Sequence, residues 1–180
     1  MDPVRTLLDR LKTEARHLQR AAKRIEPSAL VRLRKLPELR GLADDALQQT
    51  LQRRHCLSVV ARELGLSGWS HAVAVLSRPE TEDFGTLLYP PGCSAHWNIW
   101  SASYDEARQI RSEHGGYLLP YKHQFVIVDR DFIDTLGLDP EDDDWTRIGR
   151  DWPRAADLIA RQRLCAAAVR SRMRSTASAR

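Results

Sequence analysis

The sequence predicts an α+β fold: an all-helical N-terminal module followed by a small, mostly antiparallel sheet with covering helices. Three observations lead there. Apolar residues recur at helical spacing through residues 1–77, residues 78–85 form a polar break, and beyond it short β-branched and aromatic runs alternate with capped helices. The expected organisation is therefore a helical module at 1–77, a linker at 78–85, an α+β domain at 86–174 and a disordered tail at 175–180.

Asp2-Pro3 opens the first helix, with an N-cap acceptor followed by proline where its missing N–H is not needed. Val4, Leu8, Leu11, Ala15, Leu18, Ala22 and Ile25 then mark a heptad seam, widened by Leu7. Two alanines in that seam favour packing on neighbouring helices, and a homodimer is the other way to cover it. Arg5, Lys12, Arg16, Arg20, Lys23 and Arg24 form a basic stripe on the outer face. Such a stripe suits nucleic-acid phosphates, but it also solubilises an ordinary helix, and no aromatic residue occurs in the first 68 positions to stack on bases.

Pro27 and Pro37 bracket a short helix at 28–36, and two more are expected at 43–53 and 56–64. Gly65 supplies a left-handed stop, Ser67 an N-cap for a helix at 68–77, and Pro79 stands just beyond it. The stretch "VARELGLSGWSHAVAVL" looks like a helix-turn-helix through Ala61, Gly65 and the flanking leucines. Its second helix disagrees, because His71 and Ala74 occupy positions where that motif wants bulky aliphatics.

A different pattern fits the module better. Leu11, Lys12 and Ala15 form an opening, Pro27, Ala29, Arg32 and Arg34 a middle segment, and Ala61, Arg62, Glu63, Gly65 and Trp69 a close. Over about residues 5–77 this resembles the N-terminal helical region that precedes the repeats in bacterial ankyrin-repeat proteins. The pattern departs at His17 and Ala72, and no ankyrin repeat follows. The resemblance implies a helical interaction module of bacterial type and carries no catalytic residue.

After the linker, "TLLY" at 86–89 reads as a strand, "PPGC" as a tight turn and "HWNIWSA" at 96–102 as the partner strand of a hairpin. Ser103 and Glu106 form a capping box for a helix ending at Gly115-Gly116. In "EHGGYLLPYKHQFVIVD" the consecutive apolar residues Phe125–Val128 mark a central strand covered on both faces, while Pro120 implies a kink or an edge. As one extended chain, this segment would place Tyr121 and His123 on one face and Lys122 on the other. A short helix at 131–136, an acidic solvated turn "DPEDDDW" and a final helix at 155–173 complete the chain, with helices over one face of the sheet.

Function is less constrained. The net charge of +4 divides into +6 over residues 1–80, −7 over 81–150 and +5 over 151–180, so segments of opposite sign can attract each other or face separate partners. Cys56, Cys93 and Cys165 are odd in number and never form C-x-x-C, and no apolar run approaches the ~20 residues of a membrane helix. A reducing cytoplasm and no membrane contact are the expectations. His96, His114 and His123 lack metal-ligand spacing, the aspartates of 142–144 lack an EF-hand series, and no phosphate loop or nucleophile elbow is present, so neither cofactor nor metal is expected.

The expected function is non-enzymatic binding or regulation. Tyr89, Trp97, Trp100, Tyr117 and Tyr121 supply rigid rings with polar tips, and Arg108, Lys122 and His123 supply cations for a small anionic or aromatic ligand or a protein partner. The same rings also suit an ordinary core. The alternative is a small enzyme in which Cys93, in an exposed turn, is activated by His96 or His123.

Overall fold

The computed structural model describes residues 3–178. The described residues divide into two compact units, one up to Val73 and the other from Ala74, with the division falling inside one helix.

In the first unit the helices are α1 (Pro3–Lys23), α2 (Pro27–Leu33), α3 (Asp44–Thr50) and α4 (Arg53–Glu63), with a 3-10 turn at Pro37–Leu39 and α5 (Trp69–Ser77) beginning near the boundary. Leu7, Leu11, Ala15, Leu18 and Ala22 of α1 are buried, and α1 packs along α4 and α2. The seam stops there: α1 ends at Lys23, and Ile25 sits at φ 55° and is 42% exposed. Asp2 lies outside the described residues. Arg32 holds the module together by a fork onto Glu63 at 2.7 and 2.9 Å, with Glu14 of α1 3.6 Å away. Planar guanidinium matches carboxylate in this bidentate geometry.

The second unit carries a three-stranded antiparallel sheet ordered β1-β3-β2, from β1 (Asn98–Ser101), β2 (Tyr117–Tyr121) and β3 (Gln124–Val128). Helix α6 (Tyr104–His114) links β1 to β2, and α7 (Arg130–Leu136), α8 (Asp143–Arg147) and α9 (Leu158–Ser178) follow. β3 is central, and its Val126, Ile127 and Val128 are buried, as consecutive apolar residues require. Pairing of Ile99 with Ile127 and of Leu118 with Ile127 puts these residues on one face, where Ala107, Tyr104 and Ile110 of α6 cover them. Gly116 at φ 89° lets the chain turn into β2, since a Cβ there would lie 2.5 Å from the Val128 carbonyl oxygen.

The other face is covered too, which corrects the one-sided expectation. Tyr117 meets Trp145 of α8 at 4.9 Å, Trp145 meets Trp152 at 5.7 Å, and Trp152 meets Phe84 at 5.5 Å. The chain of rings ends under Arg161 of α9, whose Cζ is 5.4 Å from the Phe84 ring centre.

Residues 86–89 form a turn instead of a strand. The carbonyls of Phe84 and Thr86 accept from Leu87 N–H and Tyr89 N–H, and Leu87 and Leu88 are both buried. A short buried apolar turn and a short buried strand carry the same sequence signal. β1 therefore pairs with β3 alone. The acidic turn is partly structural: Asp144 is buried and takes two hydrogen bonds from Arg163, at 2.7 and 2.5 Å. Those bonds hold its carboxyl below the usual range against the opposing effect of burial. Helix α9 takes in residues 175–178 of the expected tail.

Residues 78–85 lie within the second unit, and Arg161 accounts for their order. It is 3% exposed, and its guanidinium donates to the carbonyls of Trp152 (3.0 Å), Pro153 (3.4 Å), Pro79 (2.5 Å) and Thr81 (3.0 Å). Replacing it by methionine keeps much of the volume but leaves these carbonyls without a donor. Arg161→Met should cost about 3–5 kcal/mol, read as a shift in urea unfolding, and Arg161→Lys should recover only part of that. A loss under ~1 kcal/mol would show that water replaces the guanidinium without penalty.

In the first unit, the buried His55 accepts the Gln52 N–H at Nδ1 (3.1 Å), closing the start of α4 as glutamate or glutamine does in a capping box. Burial, and then the charge of Arg54, lower its pKa. The unfolded chain, with an ordinary value near ~6.5, takes the proton first. The stabilisation is thus complete above that value and is lost as pH falls through the lower folded one. His55→Gln should flatten the stability profile below about pH 6.5 in thermal melts.

Candidate functional site

β2 and β3 are joined by a two-residue turn, Lys122-His123, because Tyr121 pairs with Gln124. Lys122 has φ 53°, the conformation that the first residue of a tight hairpin adopts, and one that asparagine or glycine would have announced. The turn replaces the extended arrangement expected from the sequence. Lys122 and His123 both project at the hairpin tip, exposed to solvent.

Beside that tip is a cleft of about 370 Å³, with Tyr104, Pro120, Phe125 and Pro153 as its apolar surface and Lys122, His123, Arg154, Glu82 and Asp83 as its polar lining. Tyr104 comes from the first turn of α6, where Ser103 caps the helix by accepting the Glu106 N–H. Its ring meets Phe125 at 5.7 Å. Its hydroxyl donates to the buried Asp151 at 2.7 Å, and the other oxygen of Asp151 accepts the Arg154 N–H at 3.1 Å. Burial first, and then Asp151, push the Tyr104 hydroxyl up to about 12. It is a fixed neutral donor.

Arg154 lays its guanidinium over Tyr104, with Cζ 4.2 Å from the ring centre. Among the described residues this guanidinium meets no carboxylate, and neither do the side chains of Lys122 and His123. A cation held on an aromatic face and left without a counter-ion is ready to take one from a ligand. Arg108, one turn along α6, is exposed and acts on Tyr104 through its charge.

The other expected binding residues fall into two places. Tyr89, Trp100 and Tyr121 form a triangle of rings with centres 5.1–5.3 Å apart, and Phe132 joins at 5.4 Å from Tyr89. Trp97 and Tyr117 line a second cleft of about 380 Å³ with His114, Arg130, Glu141 and Arg150. There Arg150 stacks on Tyr117 at 5.0 Å and Arg130 pairs with Glu141, while Tyr117 is buried and donates its hydroxyl to the Pro140 carbonyl at 3.0 Å. Tyr117 thus belongs mainly to the core. Sequence reasoning missed Tyr104, Phe125 and Arg154; the capping box that places Tyr104 was visible, but its proximity to Arg154 was not.

Arg5, Arg16, Arg20 and Lys23 of the basic stripe stay exposed on α1, whereas Lys12 pairs with Asp9 and Arg24 with Glu26. Among the described residues no group of three or more His, Cys, Asp or Glu side chains is placed to hold a metal ion, and no helix is long and apolar enough to cross a membrane.

Cys93 is not exposed as its turn suggested: it begins a 3-10 segment (Cys93–Ala95) and is fully buried. Burial pushes its thiol up to about 11, although Arg172 opposes this. His96 is engaged with Thr135 at 2.7 Å, and His123 stands at the hairpin tip. Native protein should therefore react with iodoacetamide at Cys93 at least tenfold more slowly than after unfolding in urea, at pH 7–8. Rapid native alkylation would restore an activated thiol. No family model, curated protein or solved structure matches the chain.

Proposed function

We propose that this chain is a non-enzymatic binding protein. Its α+β unit takes a small ligand with an aromatic or apolar body and one anionic group in the cleft between α6 and the β2–β3 hairpin. The observation that carries this reading is the Arg154 guanidinium, stacked on Tyr104 at 4.2 Å and without a carboxylate partner among the described residues, in a cleft whose apolar surface includes Phe125 and Pro120. Lys122 and His123 add positive or polarisable groups at the rim. Glu82 and Asp83 balance them, which favours a single anionic group on an apolar body over a polyanion.

The helical unit, through its resemblance to the region preceding repeats in bacterial ankyrin-repeat proteins, is read as the interaction module for a protein partner. Buried Cys93, with its raised pKa, weighs against the enzymatic alternative.

The ligand reading is tested with a matched pair of probes, 3-phenylpropionate and 3-phenylpropanol, titrated into the full chain by NMR. The acid should bind at least tenfold more tightly, with shifts at Tyr104 and Phe125, and Arg154→Gln should remove that advantage while leaving the melting temperature unchanged. Equal binding of acid and alcohol, or no binding of either at millimolar concentration, would refute the proposal.

A further inference from the structure

The two edges of the sheet are treated differently. Along β2, the Leu118 N–H donates to the Arg150 carbonyl and the Trp152 N–H donates to the Leu118 carbonyl, both at 2.9 Å, so residues 150–152 close that edge as a short parallel bridge. β1 pairs with β3 on one side only. Among the described residues, no hydrogen bond from its outer backbone groups reaches another part of the chain. In an antiparallel strand of four residues, alternate residues face outward, leaving about two N–H and two C=O groups open.

Apart from its shortness, this edge lacks the devices that usually protect one. Asn98-Ile99-Trp100-Ser101 contains no charge and no proline. Two of the chain's exposed large apolar side chains border it: Trp97, 45% exposed, and Trp100, 38% exposed. Trp100 shares a face with Tyr121, at 5.1 Å, while Trp97 lies toward His114 at the end of α6, at 6.4 Å. Trp100 lies on the face opposite Ile99 and Trp97 stands just before the strand, so an added strand would run beside Trp100 and pass Trp97 at its end.

A second copy is a poor match for this edge. The two indoles offer about 200 Å² of open surface, and two copies about 400 Å², against the ~1,200–2,000 Å² of a stable interface. An extended peptide needs less area, because its backbone supplies the hydrogen bonds and its alternate side chains the specificity. The geometry points to β1 as a docking edge for an extended, uncharged, apolar segment of another polypeptide, added as a fourth strand and flanked by Trp97 and Trp100. This surface is separate from the Tyr104 cleft.

The test uses the full chain and an end-blocked probe peptide that copies residues 124–128, an uncharged apolar strand former. Two further versions carry N-methyl groups on alternate backbone amides, one in each phase, with unchanged side chains. Hydrogen exchange of the outward β1 amides should slow at least fivefold with the unmodified peptide and with one methylated version, and stay unchanged with the other. Trp100→Lys should abolish the protection while preserving the far-ultraviolet spectrum. Equal protection by both methylated peptides, protection by none, or a dimer that shields β1 without peptide would each overturn the inference.

Discussion

The α+β unit depends on a buried cation that meets no carboxylate at ion-pair distance among the described residues. Arg161 lies in the interior with carbonyl oxygens of two separate chain segments as its partners. Burial works against its charge, and it is compensated by peptide dipoles together with the face of Phe84. One side chain thus fixes residues 79–81 and 152–153 to α9. The second of these segments continues into Asp151, which positions Tyr104, and Arg154, which covers it. The geometry of the cleft is in this sense inherited from a guanidinium that does not touch it.

Aromatic packing transmits that constraint across the sheet. Phe84, Trp152, Trp145 and Tyr117 form a continuous series of edge and tilted ring contacts from Arg161 to β2. Gly137 shows how closely the helices beneath are fitted: a Cβ at this residue, which ends α7 at φ 78°, would lie 2.0 Å from the Ser171 hydroxyl of α9. In the helical unit the corresponding fastener is Arg32 on Glu63, a conventional ion pair largely shielded from water.

The heptad spacing of α1, the glycine stop at 115–116, the central position of β3 and the α+β class were all legible, because each follows from local periodicity or backbone sterics. The role of Arg161 was not: within "LIARQRLCAAAV" it is one arginine among several in a basic segment, and only its carbonyl partners about 80 residues away distinguish it. Asp144 was hidden for the same reason, its partner Arg163 being 19 residues on. For the candidate site, the sequence picked out the segment and its cations but not the hairpin, and it grouped rings that the sheet separates. Tyr89, Trp100 and Tyr121 do meet and Lys122 lies over Tyr121 at 5.4 Å, whereas Trp97 and Arg108 lie elsewhere; the turn at Lys122, without glycine or asparagine, gave no sign that the chain reverses there.

Residues 150–152 do for the sheet what a selvedge does for cloth. With β2 bridged by this segment, the sheet can add a strand only on its β1 side. Growth is thereby confined to one side. Were the hem to come away, both borders would be open, and the same geometry would permit copies to add head to tail with no terminating unit, the route to a fibre. The strained Arg150, at φ 52° and held by the Trp145 carbonyl and the Leu118 N–H, is therefore a safeguard on the sheet's finite size.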